Sequence, residues 1–154
     1  VYLRNSSAPY AIVDSAKAYL SNTGTGTFSF SNAVNGVNYY LQLKHRNSIE
    51  TWSKTTQTFT GSTLTYNFTT SNSQAYGNNL INVDASPVRY ADFSGDVNQN
   101  GIIELNDILS VYNAATVFSS GYVVNDINGD SIADLNDILI TYNNSTAFVA
   151  VIRP

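Results

Sequence analysis

The chain has 154 residues, with seven Lys plus Arg against eleven Asp plus Glu, a net charge of −4, one His, one Trp and no Cys or Met. Without Cys there are no disulfides, thiolate zinc sites or cysteine nucleophiles, a single His leaves little for imidazole chemistry, and the acidic balance argues against nucleic acid as a partner. No apolar run approaches the roughly 18 residues that a membrane span needs, and what remains is a Ser-, Thr-, Asn- and Tyr-rich composition common on secreted proteins. No basic-then-apolar leader precedes the first strand, so a mature or trimmed chain is expected.

Residues 1 to 84 read as short strands. Phe28 and Phe30 alternate with serines. Tyr39, Leu41 and Leu43 alternate with Tyr40, Gln42 and Lys44, and Leu64, Tyr66 and Phe68 alternate with polar residues. Turn clusters at Asn22-Thr23-Gly24, Asn35-Gly36 and Gly61-Ser62 separate them. This period of two predicts an antiparallel β-sandwich over residues 1–86. The chain opens in a strand, Val1-Tyr2-Leu3-Arg4, with nothing before it to pair alongside, so an incomplete first edge is expected. Asp84-Ala85-Ser86-Pro87 breaks the pattern and marks the boundary with a second unit, residues 87–154. The connector to Phe93 is short, so the two units should pack together.

Charge divides along the same line. Residues 1–91 carry Arg4, Lys17, Lys44, Arg46, Lys54 and Arg89 against Asp14, Glu50 and Asp84, a net of +3. Residues 92–152 carry no Lys or Arg, and eight acids give −8. Carboxylates at that density repel one another in a compact state unless a cation joins them.

The acidic stretch is an internal repeat. Residues 96–113 align without gaps on 126–143, with ten of 18 paired positions identical. Each copy has oxygen-bearing side chains at alternate positions, a carboxylate eleven residues after the first, and then a helical pattern. The first copy offers Asp96, Asn98, Asn100, the Ile102 carbonyl, Glu104 and Asp107; the second offers Asp126, Asn128, Asp130, the Ile132 carbonyl, Asp134 and Asp137. A calcium ion takes six to eight oxygens, and a tightly curled loop of this spacing can bring them to one point, so two calcium ions are expected. Ile103 and Ala133 should let the two loops run side by side. Leu105, Ile108, Leu109 and Tyr112, like Leu135, Ile138, Leu139 and Tyr142, fall at helical spacing, which predicts two short helices that bury these stripes against each other.

The duplicated loop-plus-helix resembles a type I dockerin, the calcium-dependent module that docks onto cohesins. That resemblance covers about 60 residues. It implies an all-α calcium-loop-helix module and partner contacts at Leu105-Asn106, Tyr112-Asn113, Leu135-Asn136 and Tyr142-Asn143. Two departures stand out: Ser131 occupies a sharp turn where glycine is expected, and the Ser-Thr pairs common in dockerins early in each helix are absent. In Ser131 a left-handed backbone costs on the order of 1 kcal/mol, so backbone geometry should favour the first loop, while the second has four carboxylates to the first's three. The β-rich part followed by such a repeat is also similar to modules of secreted bacterial surface proteins with a prealbumin-like or carboxypeptidase-regulatory-like sandwich.

These readings converge on a non-enzymatic, extracellular calcium-binding module for assembly at a cell surface, with a cohesin-like domain or further copies of itself as partner. Extracellular calcium is plentiful enough to fill weak sites. An alternative is a filament or tube subunit that donates its apolar tail, Ala147-Phe148-Val149-Ala150-Val151-Ile152, to a neighbouring sheet. A second alternative is a carbohydrate-binding module, with the tyrosines and Trp52 as a stacking platform, although such aromatics are more often cross-strand pairs. Asp14, Ser15 and His45 show no spacing that supports a triad, and acids for glycoside hydrolysis would have to come from Asp14, Glu50 and Asp84, since most of the others are claimed by the loops.

Overall fold

A computed structural model describes residues Val1–Pro154. The fold is mixed, with antiparallel sheets in the first half and two helices in the second. Strands β1 (Tyr2–Asn5), β2 (Ile12–Ser15), β3 (Asn38–Leu43), β4 (Thr51–Trp52) and β5 (Gln57–Thr58) form one sheet in the order β2-β1-β3-β4, with β5 pairing the other end of β3 beside β4. Strand β1 is therefore interior, flanked by β2 and β3, and the expected open first edge is absent. The Val1 ammonium donates to the Ala16 carbonyl at 2.8 Å, which pins the start of that strand.

Leu3, Tyr39 and Leu41 are the buried centre of this half, and Leu3 lies opposite Leu41 in the register. Phe30, Phe59, Leu64 and Tyr66 pack over them, with the Tyr39 and Phe59 rings edge-on at 6.2 Å. Period-two patterning thus identified core residues correctly but not always strands. Residues 28–30 and 64–68 have no strand pairing and lie over the sheet as irregular chain. An apolar side chain at every second position reports burial, and burial alone does not demand a hydrogen-bonded ladder.

The break at Ser86-Pro87 is the turn of a hairpin between β6 (Ile81–Ala85) and β7 (Val88–Ala91), so one small sheet straddles the expected boundary. The seam between the halves is formed instead by the segment Arg46–Glu50. Ile49 N–H donates to the Phe93 carbonyl at 2.9 Å, and Gly95 N–H to the Asn47 carbonyl at 2.6 Å. Ile49, Ile103 and Val149 form a second apolar core there, with Phe93 and Val151 around it. Gly95 sits at φ +123, and a Cβ there would meet the Thr141 backbone at 3.3 Å, so this close approach requires glycine.

Helices α1 (Leu105–Thr116) and α2 (Leu135–Thr146) pack against each other. Of the expected stripes only Ile108 and Ile138 are half-buried, and the residues fully buried are others. Asp107, Val111 and Ala115 point inward from α1, and Asp137, Thr141 and Asn144 from α2. Leu105 and Leu135 are 64% and 66% exposed, Leu109 and Leu139 48% and 47%, and Tyr112 and Tyr142 53% and 52%. The aspartate at the third helical position sets the rotation, because its carboxylate is tied to the loop. At about 100° per residue, Leu105, Leu109 and Tyr112 then fall roughly 140–160° away from Asp107, on the outer face.

Candidate functional site

Each loop is wrapped around its first and last aspartates. Asp107 is fully buried; its Oδ1 accepts from Val97 N–H at 3.0 Å and Asn98 N–H at 3.2 Å, and its Oδ2 from Glu104 N–H at 3.0 Å. Asp137 repeats this with Ile127 at 2.7 Å, Asn128 at 3.0 Å and Asp134 at 2.8 Å. The last bond of each set is half of a capping box at the helix start, where the helix dipole also favours a carboxylate.

Asp96 accepts from Asn100 and Gly101 N–H, both at 3.1 Å. Asp126 accepts from Gly129 at 2.8 Å and Ser131 at 3.2 Å. Asn98 and Asn100 take the N–H groups of Asn100 and Ile102, each at 2.9 Å. Asn128 and Asp130 take those of Asp130 and Ile132, at 2.8 and 3.0 Å. Alternate side chains therefore turn back on the loop they belong to, which curls the backbone. Glu104 accepts from Asn100 and Asn106 side-chain amides, and Asp134 from Asn136 N–H.

The loops do not run side by side through Ile103 and Ala133. Each instead pairs with the segment that follows the other repeat's helix. Ile103 N–H donates to the Val149 carbonyl at 3.0 Å and Val151 N–H to that of Gly101 at 2.8 Å; Ala133 donates to Ser119 at 2.7 Å and Gly121 to Ser131 at 2.8 Å. These bonds correspond under the 30-residue offset, so the two repeats clasp each other reciprocally. The apolar tail closes the first loop through an isolated antiparallel bridge between Ala150 and Ile102, and Asn79 Nδ2 donates to its Ala150 carbonyl at 3.0 Å.

Backbone strain is shared between the loops. The first has left-handed Gln99 (φ 60) and Gly101 (φ 91), and the second left-handed Gly129 (φ 83) and Ser131 (φ 74). The same two positions are left-handed in both, and each loop has one glycine and one other residue there. The expected geometric advantage of the first loop is thus offset by Gln99, whose side chain bonds to the Asp96 carbonyl at 2.7 Å and the Ser48 carbonyl at 3.2 Å.

Electrostatics differ more. Burial pushes the Asp96 carboxyl up, and Asp107 beside it adds to the rise against the hydrogen bond from Gly101. Asp126 instead meets Arg46, whose Nη2 lies 3.4 Å from Oδ2 and 3.2 Å from the Asp126 carbonyl. The Arg46 guanidinium also sits 4.1 Å over the Tyr122 ring. Asn47 Nδ2 donates to the Val124 and Asp126 carbonyls at 3.0 and 2.8 Å, while its Oδ1 is buried without a partner. Arg46 and Asn47 belong to the other half of the chain, and no repeat or motif signal in the sequence linked them to the second loop.

No three acidic or imidazole side chains gather into one cluster. Each loop's oxygens are a mixture of carboxylate, amide and carbonyl. The Ile102 and Ile132 carbonyls accept no hydrogen bond from the protein. An all-oxygen donor set of this kind suits a hard cation such as calcium, and buried aspartates in a stretch without Lys or Arg suit its charge. Elsewhere, Asp14 is occupied by Asn32 N–H and Ser15 N–H, both at 2.8 Å, whereas the His45 ring lies 3.3 Å from Ser48 Oγ, so Asp14, Ser15 and His45 do not assemble into a triad. Compared with known proteins, the chain matches no family model, no curated protein and no solved structure.

Proposed function

We propose that this chain is a non-enzymatic, extracellular assembly module whose dockerin-like second half is ordered by calcium and docks onto another protein through the outer faces of α1 and α2. On this reading the sheet and the aromatic segments lying over it are the two layers of a sandwich that carries the docking half. The single observation that carries it is the matched exposure of Leu105, Leu109 and Tyr112 with Leu135, Leu139 and Tyr142. The helices of the two repeats present the same apolar side chains outward to the same degree, which leaves them about half to two-thirds exposed in the lone chain. Their repetition offers a partner two equivalent faces, as a cohesin-like sheet would use them.

Calcium would be held in the first loop by Asp96, Asn98, Asn100, the Ile102 carbonyl, Glu104 and Asp107, and in the second by Asp126, Asn128, Asp130, the Ile132 carbonyl, Asp134 and Asp137. When bound it would supply the positive charge that the acidic stretch lacks. The tail pairs with its own first loop, so donation of that segment to a neighbour would first have to unclasp the repeats. This favours docking through the helices over a strand-exchanged filament. The experiment is calcium titration by calorimetry together with far-UV circular dichroism and limited proteolysis in calcium and in chelator. Two binding events, with loss of helix and new cleavage within residues 92–152 on chelation, are expected. An unchanged spectrum and digest, with no heat of binding, overturn the calcium reading.

A further inference from the structure

Arg4, Pro9, Tyr10, Glu50, Trp52 and Arg153 line an open cleft of about 240 Å³ at the seam between the halves. At its floor Glu50 is buried, and its Oε1 accepts from Trp52 Nε1 at 3.0 Å and Arg153 Nε at 2.6 Å. Its Oε2 accepts from Gln42 Nε2 at 2.6 Å. Gln42 in turn accepts from Arg4 Nε at 2.7 Å, and Arg4 Nη1 donates to the Tyr10 carbonyl at 3.3 Å. The Arg4 guanidinium lies 5.4 Å over the Trp52 ring, which fixes its plane.

Arg153 pairs directly with Glu50 and Arg4 reaches it only through Gln42, so two guanidiniums and one carboxylate leave the cleft with a unit of positive charge in a protein of net −4. Both terminal nitrogens of Arg153 and Nη2 of Arg4 make no hydrogen bond within the protein. Glu50 Oε2 accepts one hydrogen bond and keeps a lone pair for a second. A ligand that satisfies both kinds of group has a carboxylate to accept from the arginines and a hydroxyl to donate to Glu50. The Glu50 charge disfavours a dianion such as phosphate. Tyr10, wedged edge-on against Tyr40 and Trp52 at 5.8 and 6.1 Å, and Pro9 supply a rigid, partly apolar wall for a ring.

We propose that this cleft binds a carboxylate-bearing sugar of the uronic acid type. The carboxylate meets the fork of Arg153 bidentately, a ring hydroxyl donates to Glu50 Oε2, and the apolar face of the ring lies against Tyr10 and Pro9. None of these residues belongs to the repeat loops, but Arg153 follows the tail that closes the first loop, so the test keeps calcium present throughout.

Trp52 is the chain's one tryptophan and reports the cleft directly. Its fluorescence is followed while the whole protein, in calcium-containing buffer, is titrated with glucuronate and galacturonate. Glucose supplies the ring without the carboxylate, acetate the carboxylate without the ring, and N-acetylglycine the carboxylate on a peptide-like frame. A saturable change is expected with a uronate, at least about tenfold tighter than with any of the three comparators. Arg153→Gln and Tyr10→Ala should each weaken it by about tenfold. If Arg153→Gln alters the far-UV spectrum, Arg153→Lys replaces it, since lysine keeps the charge but not the fork. No saturable change with either uronate, or binding of glucose, acetate or N-acetylglycine as tight as a uronate, overturns the proposal.

Discussion

Arg46 reaches out of the sheet half to Asp126 at the start of the second loop, with Nη2 3.4 Å from Oδ2, while its guanidinium rests on the Tyr122 ring. The first loop has no such partner: Asp96 is buried next to Asp107 in a stretch without Lys or Arg. The repeats are alike in backbone and unlike in charge compensation. Replacing Arg46 by Met should therefore destabilise the protein by about 1–3 kcal/mol, because the Asp126 carboxylate loses its cation and the Val123 and Asp126 carbonyls each lose one of their donors. Urea denaturation in chelator and in calcium checks this, and on the proposed function the loss is smaller in calcium.

The rotation of the helices makes a paired test. Val111→Ala empties a fully buried position and should cost about 1–3 kcal/mol, whereas Leu109→Ala on the same helix removes a larger side chain and should stay within about 0.5 kcal/mol. If Leu109→Ala costs more than Val111→Ala in thermal or urea unfolding, Leu109 and not Val111 lies on the inward face of α1.

Ser131 is exposed and left-handed at φ 74, and its hydroxyl makes no hydrogen bond. Ser131→Gly should stabilise by about 1 kcal/mol by relieving that conformation. Gln99→Gly relieves the same strain in the first loop but removes the side-chain bonds to the Asp96 and Ser48 carbonyls. It should therefore gain less, or lose. Differential scanning calorimetry of the two variants separates the cases.

Asp107 holds three backbone N–H groups of the loop and helix start. Asp107→Ala leaves them without their acceptor and should cost about 2–4 kcal/mol, with loss of α1 helicity by circular dichroism.

Glu50 gives a prediction for acid. Burial alone raises its carboxyl, but Arg153, Trp52 and Gln42 outweigh that and hold it below the usual glutamate range. A folded-state value below the unfolded one stabilises the protein fully above the unfolded value, about 4.3, and that contribution fades as pH falls towards the folded value. Wild type should lose more stability between pH 6 and pH 3 than Glu50→Gln does. Equal urea midpoint shifts across about that range in the two proteins would show that Glu50 is not depressed.

Legibility varied from element to element. The repeat, its boundaries and the positions of both helices could be read from residues 96–143, because loop turns and helix starts depend on neighbours within a dozen residues. The apolar alternation around Tyr39 and Leu41 likewise marked a strand and its buried face. Phe30, Leu64 and Tyr66 were legible as core but not as irregular chain, since periodicity encodes burial rather than pairing.

What the amino-acid order determined by itself was local: two oxygen-rich loops, two helices and an apolar sheet face. Only the tertiary structure decided which helix face turns inward, that each loop is closed by the segment after the other's helix, and that Arg46 serves the second loop alone. It also brought Arg153 to Glu50 from 103 positions away, creating the seam cleft. Such relationships depend on where distant segments meet, and spacing along the chain carries no record of a meeting that packing and charge settle in three dimensions.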